Sequence, residues 1–136
     1  MHIYFKYSLI LLLASYLIAC NTHPTRSDAE TANQDINALV ANSLVYAQRG
    51  ALPLARNMIE RALATDPQHV AANNIAGLIY GRMSEHDLAI YHFKTALASA
   101  PKDSSTLNNY ANYLCNTGNK SSAIELFLQA ADDNAN

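Results

Sequence analysis

The chain has 136 residues, 50% of them apolar and 15% charged, with a formal net charge of −2. That balance excludes a disordered chain, which pairs low hydrophobicity with high net charge, and it suits one globular domain. The 9 Lys and Arg are scattered without a cluster, so no electrostatic footprint for nucleic acid is present.

The N-terminus reads MHIYFKYSLILLLASYLIA over residues 1–19. Lys6 precedes an apolar run from Leu9 to Ala19, the form of a secretory signal peptide. The run is shorter than the ~20 apolar residues a spanning helix needs. Leu17-Ile18-Ala19-Cys20 resembles the lipobox of bacterial lipoproteins. That resemblance implies cleavage before Cys20, which then carries an N-acyl chain and an S-diacylglycerol; no other cofactor is expected. The competing reading is a buried Cys at the end of an uncleaved anchor helix. Asn rather than Asp at position 21 implies, by the sorting rule of enteric lipoproteins, the periplasmic face of the outer membrane.

Residues 20–35 follow as a lipidated Cys and a flexible tether. NTHPTRSDAETANQ holds no large apolar residue with which to offset chain entropy. Ser27-Asp28 ahead of Ala29-Glu30 reads as an N-cap with an acidic first turn, so the first helix is expected to start ahead of the repeats. His23 reads as a solvated linker residue.

From residue 36 the chain repeats itself. A shift of 34 residues carries Pro67 onto Pro101, Ala62 onto Ala96, Ile59 onto Phe93, Ala55 onto Ala89 and Tyr46 onto Tyr80. A further such shift puts Leu114, Ala123, Phe127 and Ala130 on the same marks. This pattern resembles the tetratricopeptide repeat (TPR), a helix–turn–helix unit. The expected fold is all-α: a right-handed solenoid of three repeats, at 36–69, 70–103 and 104–136. In the first, Gly50 suits a left-handed helix end and Pro53 opens the second helix. Asp66 precedes a proline and ends that helix. In the second, Gly77 and Ala89 are small where helices approach, and Tyr80 and Phe93 fill the space around them. In the third, Asp103 or Ser104 caps the first helix and Gly118 occupies the turn. Terminal repeats need a polar outer face, so part of the Ile124–Leu128 face is expected to stay exposed, covered by a partner or marking a shortened relative.

The third repeat carries a narrower resemblance. Leu107-Asn108-Asn109-Tyr110-Ala111-Asn112-Tyr113-Leu114-Cys115, followed by Gly118, is similar to a segment of the pilotin lipoproteins of type IV pilus biogenesis. Ala111 and Tyr113 stand where that family usually has Gly and Phe, and family members carry further repeats. The resemblance implies an outer-membrane lipoprotein that binds subunits of the type IV pilus secretin and helps them assemble. The alternative is a general periplasmic TPR lipoprotein that scaffolds another envelope complex.

In TPR arrays the inward positions of the first helices form a concave groove. By register these include Asn37, Val40 and Leu44, then Ala71, Asn74, Leu78, Gly81 and Arg82, then Asn108, Asn112, Cys115 and Asn116. Carboxamides both donate and accept, so such a ladder suits the backbone of an extended peptide; Ala71 and Gly81 leave it room. The plainer reading is that Asn solvates a helix surface. Asn109 and Tyr110 read as packing residues, and Cys115 as a small buried hydrophobe, although its family counterpart often has a companion Cys in the next repeat. His86 and His92 are not spaced as helical metal ligands and read as solvated inter-helix residues. Neither a nucleophile with a base nor a Gly-rich phosphate loop is present, so an enzyme is not expected.

Overall fold

The computed structural model describes residues 26–133, which hold six α-helices and no strand. They run α1 Arg26–Gln48, α2 Leu52–Thr65, α3 Val70–Arg82, α4 His86–Ser99, α5 Ser104–Asn116 and α6 Lys120–Asp133. Residues 1–19, read from sequence as a signal peptide, and Cys20 lie outside the described residues. Contacts divide the chain into Met1–Thr31 and Ala32–Asn136; of the first unit only the opening of α1 is described, and the second holds the helical array.

Helix α1 starts ahead of the repeats, within the span 20–35 bounded as tether. Residues 26–35, read as part of the tether, are helical. Half of the stretch, Arg26, Ala29, Glu30, Ala32 and Gln34, consists of good helix formers. It also continues into a packed helix, so it extends an existing turn without a new nucleation step. Glu30, Asn33, Gln34 and Asp35 are exposed; burial begins at Ile36. Lack of core-forming residues therefore did not mean lack of helix.

Each hairpin turns by the same device. Gly50 N–H donates to Ala47 O at 3.0 Å and Ala51 N–H to Tyr46 O at 3.0 Å. Gly118 and Asn119 make the same pair to Cys115 O and Leu114 O, at 3.2 and 2.8 Å. This is the Schellman arrangement, which needs one left-handed residue, and Gly50 and Gly118 supply it with φ of 81° and 92°. The middle hairpin repeats the bonds, Ser84 N–H to Gly81 O and Glu85 N–H to Tyr80 O, but with a serine at φ 62°.

Between repeats the chain is extended before each proline. Asp66 (φ −138°, ψ 97°) ends α2 and Ala100 (φ −139°, ψ 85°) ends α4. The next helices open on side-chain caps: His69 Nδ1 accepts from Ala72 N–H at 3.2 Å, and Asp103 Oδ2 from Thr106 N–H at 2.8 Å.

The core follows the repeat marks. Ala55, Ile59 and Ala62 of α2 are fully buried against Ala72, Ala76 and Ile79 of α3, with Ile36 and Ala47 of α1 completing the cluster. A second cluster gathers Phe93, Tyr110, Ala111, Leu114 and Ala123. Gly77 is the pivot of the middle repeat. A Cβ there would stand 2.7 Å from Phe93 Cε1, so the absence of a side chain is what lets the buried ring seat. On its other side Phe93 stacks on Tyr110, centroids 5.1 Å apart and planes 19° from parallel.

Candidate functional site

The first helices of the repeats, α1, α3 and α5, present the face on which the groove was expected. Along it lie two cavities. The larger, about 650 Å³, has an apolar floor from Val40 and Leu44 of α1 and Val70, Ala71 and Ile75 of α3. Asp66, His69 and Asp103 from the inter-repeat loops stand around it, with Asn74 also in its wall. The smaller, about 230 Å³, is bounded by Leu78, Gly81 and Arg82 of α3 and by Asn109, Tyr113 and Asn116 of α5. Both use one stripe of α3, because Asn74, Leu78 and Arg82 recur at helical spacing.

Asn109 joins the two. Its Nδ2 donates to Asn74 Oδ1 at 3.1 Å, tying α5 to α3. Asn74 is only 6% exposed. Its oxygen is committed to Asn109, whereas its Nδ2 has no protein acceptor among the described residues and borders the larger cavity. Arg82 is anchored too: its Nη1 donates to the carbonyl of Ala47 near the C-terminal end of α1, where a cation also meets the negative end of the helix dipole.

Of the residues singled out from sequence, Asn74, Leu78, Arg82 and Asn116 therefore line cavities. Asn37, Asn108 and Asn112 are exposed and border neither. Asn109, read as a packing residue, ties α5 to α3 through Asn74 and also lines the smaller cavity beside Asn116. Gly81 bounds that cavity, and an added Cβ there would meet the Tyr113 ring at 2.9 Å. One expectation changes: Cys115 is exposed, not buried.

The histidines also resolve. His86 is exposed and its Nδ1 lies 2.8 Å from the Tyr113 hydroxyl, at the edge of the smaller cavity. His92, read as a solvated residue, is half-buried. Asn73 spends its amide hydrogens on Pro67 O and His69 O, at 2.9 and 3.1 Å, which leaves Oδ1 to accept from His92 Nδ1 at 2.9 Å. Tyr80 stacks on the His92 ring, centroids 5.2 Å apart and planes 4° from parallel. Its hydroxyl donates to Glu60 at 2.9 Å. Burial, then that bond to a carboxylate, push the Tyr80 hydroxyl up to about 12. Burial holds the His92 imidazole below its ordinary value. Burial likewise raises the phenols of Tyr110 and Tyr113. The largest cause of each shift is burial; of these groups only Tyr113 lines a cavity, where it meets His86. Among the described residues no three of His, Cys, Asp and Glu stand together as a metal site, and no helix is long and apolar enough to cross a membrane.

A tetratricopeptide repeat model matches residues 40–104 and, in a second placement, residues 76–136. The chain belongs to the tetratricopeptide repeat family. This TPR chain is also homologous to PilF, the type IV pilus assembly protein of Pseudomonas aeruginosa, at 28% identity over 129 residues. That alignment takes in 93% of this chain and 51% of PilF. A solved structure of Pseudomonas aeruginosa PilF superposes with a TM-score of 0.74 at 27% identity, over 77% of this chain and 47% of that one. The TPR chain thus spans about half the length of the relative it matches. A TPR scaffold with a cleft along its first helices points to a role in binding protein.

Proposed function

We propose that this chain is a protein-binding component of type IV pilus assembly and acts as a pilotin, holding a segment of the pilus secretin along its first helices. The observation that carries the reading is the cleft shared by α1, α3 and α5 in a chain homologous to PilF over nearly its whole length. Asn74, Leu78, Arg82 and Asn116 are the groove residues. A buried amide beside an apolar floor suits an extended segment: the amide meets backbone carbonyls and the floor takes side chains. Binding without chemistry is the whole task in this reading; the protein is not an enzyme.

The lipid anchor belongs to the same reading. Acylated Cys20 would hold the array at the periplasmic face of the outer membrane, since each buried methylene is worth ~0.8 kcal/mol. Confinement raises the effective concentration for a client in the same membrane. Cys20→Ala should abolish incorporation of labelled palmitate and remove the protein from the outer-membrane fraction.

Deleting the gene tests the function itself. Heat-stable secretin multimers and surface pili should be lost, and restored by the wild-type gene. Multimers that persist unchanged in the deletion would overturn the assignment. Ala71→Trp then tests the site. Ala71 is exposed on α3 and borders the larger cavity, so the indole fills the cleft without entering the core. It should abolish client binding while altering stability by less than ~0.5 kcal/mol.

A further inference from the structure

The larger cavity has a charge as well as a shape. Asp66 and Asp103 reach it from the two inter-repeat loops, and no Lys or Arg lines it. Each carboxylate is held by its own backbone turn: Asp66 Oδ1 accepts from Gln68 N–H at 3.0 Å, and Asp103 Oδ2 from Thr106 N–H at 2.8 Å. Those bonds fix the acids at the rim and leave each a second oxygen. His69, between them, accepts from Ala72 N–H through Nδ1 at 3.2 Å. The floor beneath is aliphatic, and the Nδ2 of buried Asn74 is free in the wall. Floor, free donor and paired carboxylates converge on one cleft.

We propose that the segment bound there is an extended peptide that alternates apolar and basic side chains. In an extended chain successive side chains point to opposite sides. Apolar residues then enter the floor formed by Val40, Leu44 and Ile75, a main-chain carbonyl accepts from Asn74 Nδ2, and neighbouring Lys or Arg side chains reach Asp66 and Asp103. This inference rests on reading the cleft as a peptide groove, and names the client's chemistry beyond it.

The test uses the full chain in detergent and two fluorescent peptides with blocked termini. One alternates leucine and lysine; in its counterpart glutamate replaces lysine. By fluorescence anisotropy at low salt the lysine peptide should bind at least about tenfold tighter, with affinity falling as salt rises. Asp66→Asn with Asp103→Asn keeps both turn-forming oxygens while removing the charges, and should cut lysine-peptide affinity by about tenfold. Ala41→Lys offers a second route to the same loss. Ala41 is exposed on α1 and borders the cavity, so the new cation touches neither cap.

Equal binding of the two peptides, tighter binding of the glutamate peptide, or unchanged affinity in both variants would overturn the proposal. Equal binding together with loss of secretin multimers on gene deletion would remove the charge inference and leave the pilus role standing. The predicted preference together with intact multimers would do the reverse.

Discussion

Ser84 does with a side chain what Gly50 and Gly118 do without one. All three hold φ between 62° and 92° at the same point of their hairpins, and for an L-residue with a Cβ that conformation costs about 1–2 kcal/mol. Ser84→Gly should therefore raise stability by about 0.5–1 kcal/mol, seen as a higher denaturation midpoint at an unchanged m-value. Gly77→Ala should do the opposite. Its methyl would press on a Phe93 ring already closed in by Tyr110, and overpacking of that kind costs about 1–3 kcal/mol. His92 gives a pH signature. Because burial lowers its affinity for protons, the folded state favours the neutral ring. The stability this supplies is complete above the ordinary value of 6.5 and is lost as pH falls below it toward the lower folded value. Between about pH 7 and about pH 5 the melting temperature of the wild type should drop more steeply than that of His92→Gln. Parallel curves would remove this account of His92.

At the scale of helices, the period of the sequence predicted most of what is found. Proline, glycine and small residues recur at one spacing because each does a job that few other residues can, and those jobs recur with the hairpin. The helix bounds at Thr65 and Ser104 follow from that punctuation. The early start of α1, in a span without core residues, was legible in Ser27-Asp28 ahead of Ala29-Glu30. What escaped is azimuth within a helix. Register put the amides of α5 on the groove side, but neighbouring residues differ by about 100° around the axis. Asn109 thereby meets Asn74, while Asn108 and Asn112 meet water. Ser84 was legible in principle, as it stands at the repeat mark of two glycines. The apolar face of α6 came out as the pattern suggested, with Ile124 at 58% and Leu128 at 63% exposure. Such exposure means Leu128→Lys should change stability by less than ~0.5 kcal/mol.

For the molecule as a whole, the fold and the role are linked through one stripe of α3. Its buried side, Ala72, Ala76 and Ile79, fastens the middle repeat to α2. Its other side, from Ala71 through Asn74 and Leu78 to Arg82, walls both cavities. The helix that holds the array together is thus the one that presents the cleft, so the cleft is formed without a partner. A preformed groove spends little of its binding energy on ordering itself. The direct test is site-specific photocrosslinking in living cells, with the crosslinking side chain placed at Ala71 in the cleft or at Tyr91, exposed on α4 and bordering neither cavity. The account predicts a covalent adduct with the secretin from position 71 and none from position 91; adducts from 91 with none from 71 would contradict it.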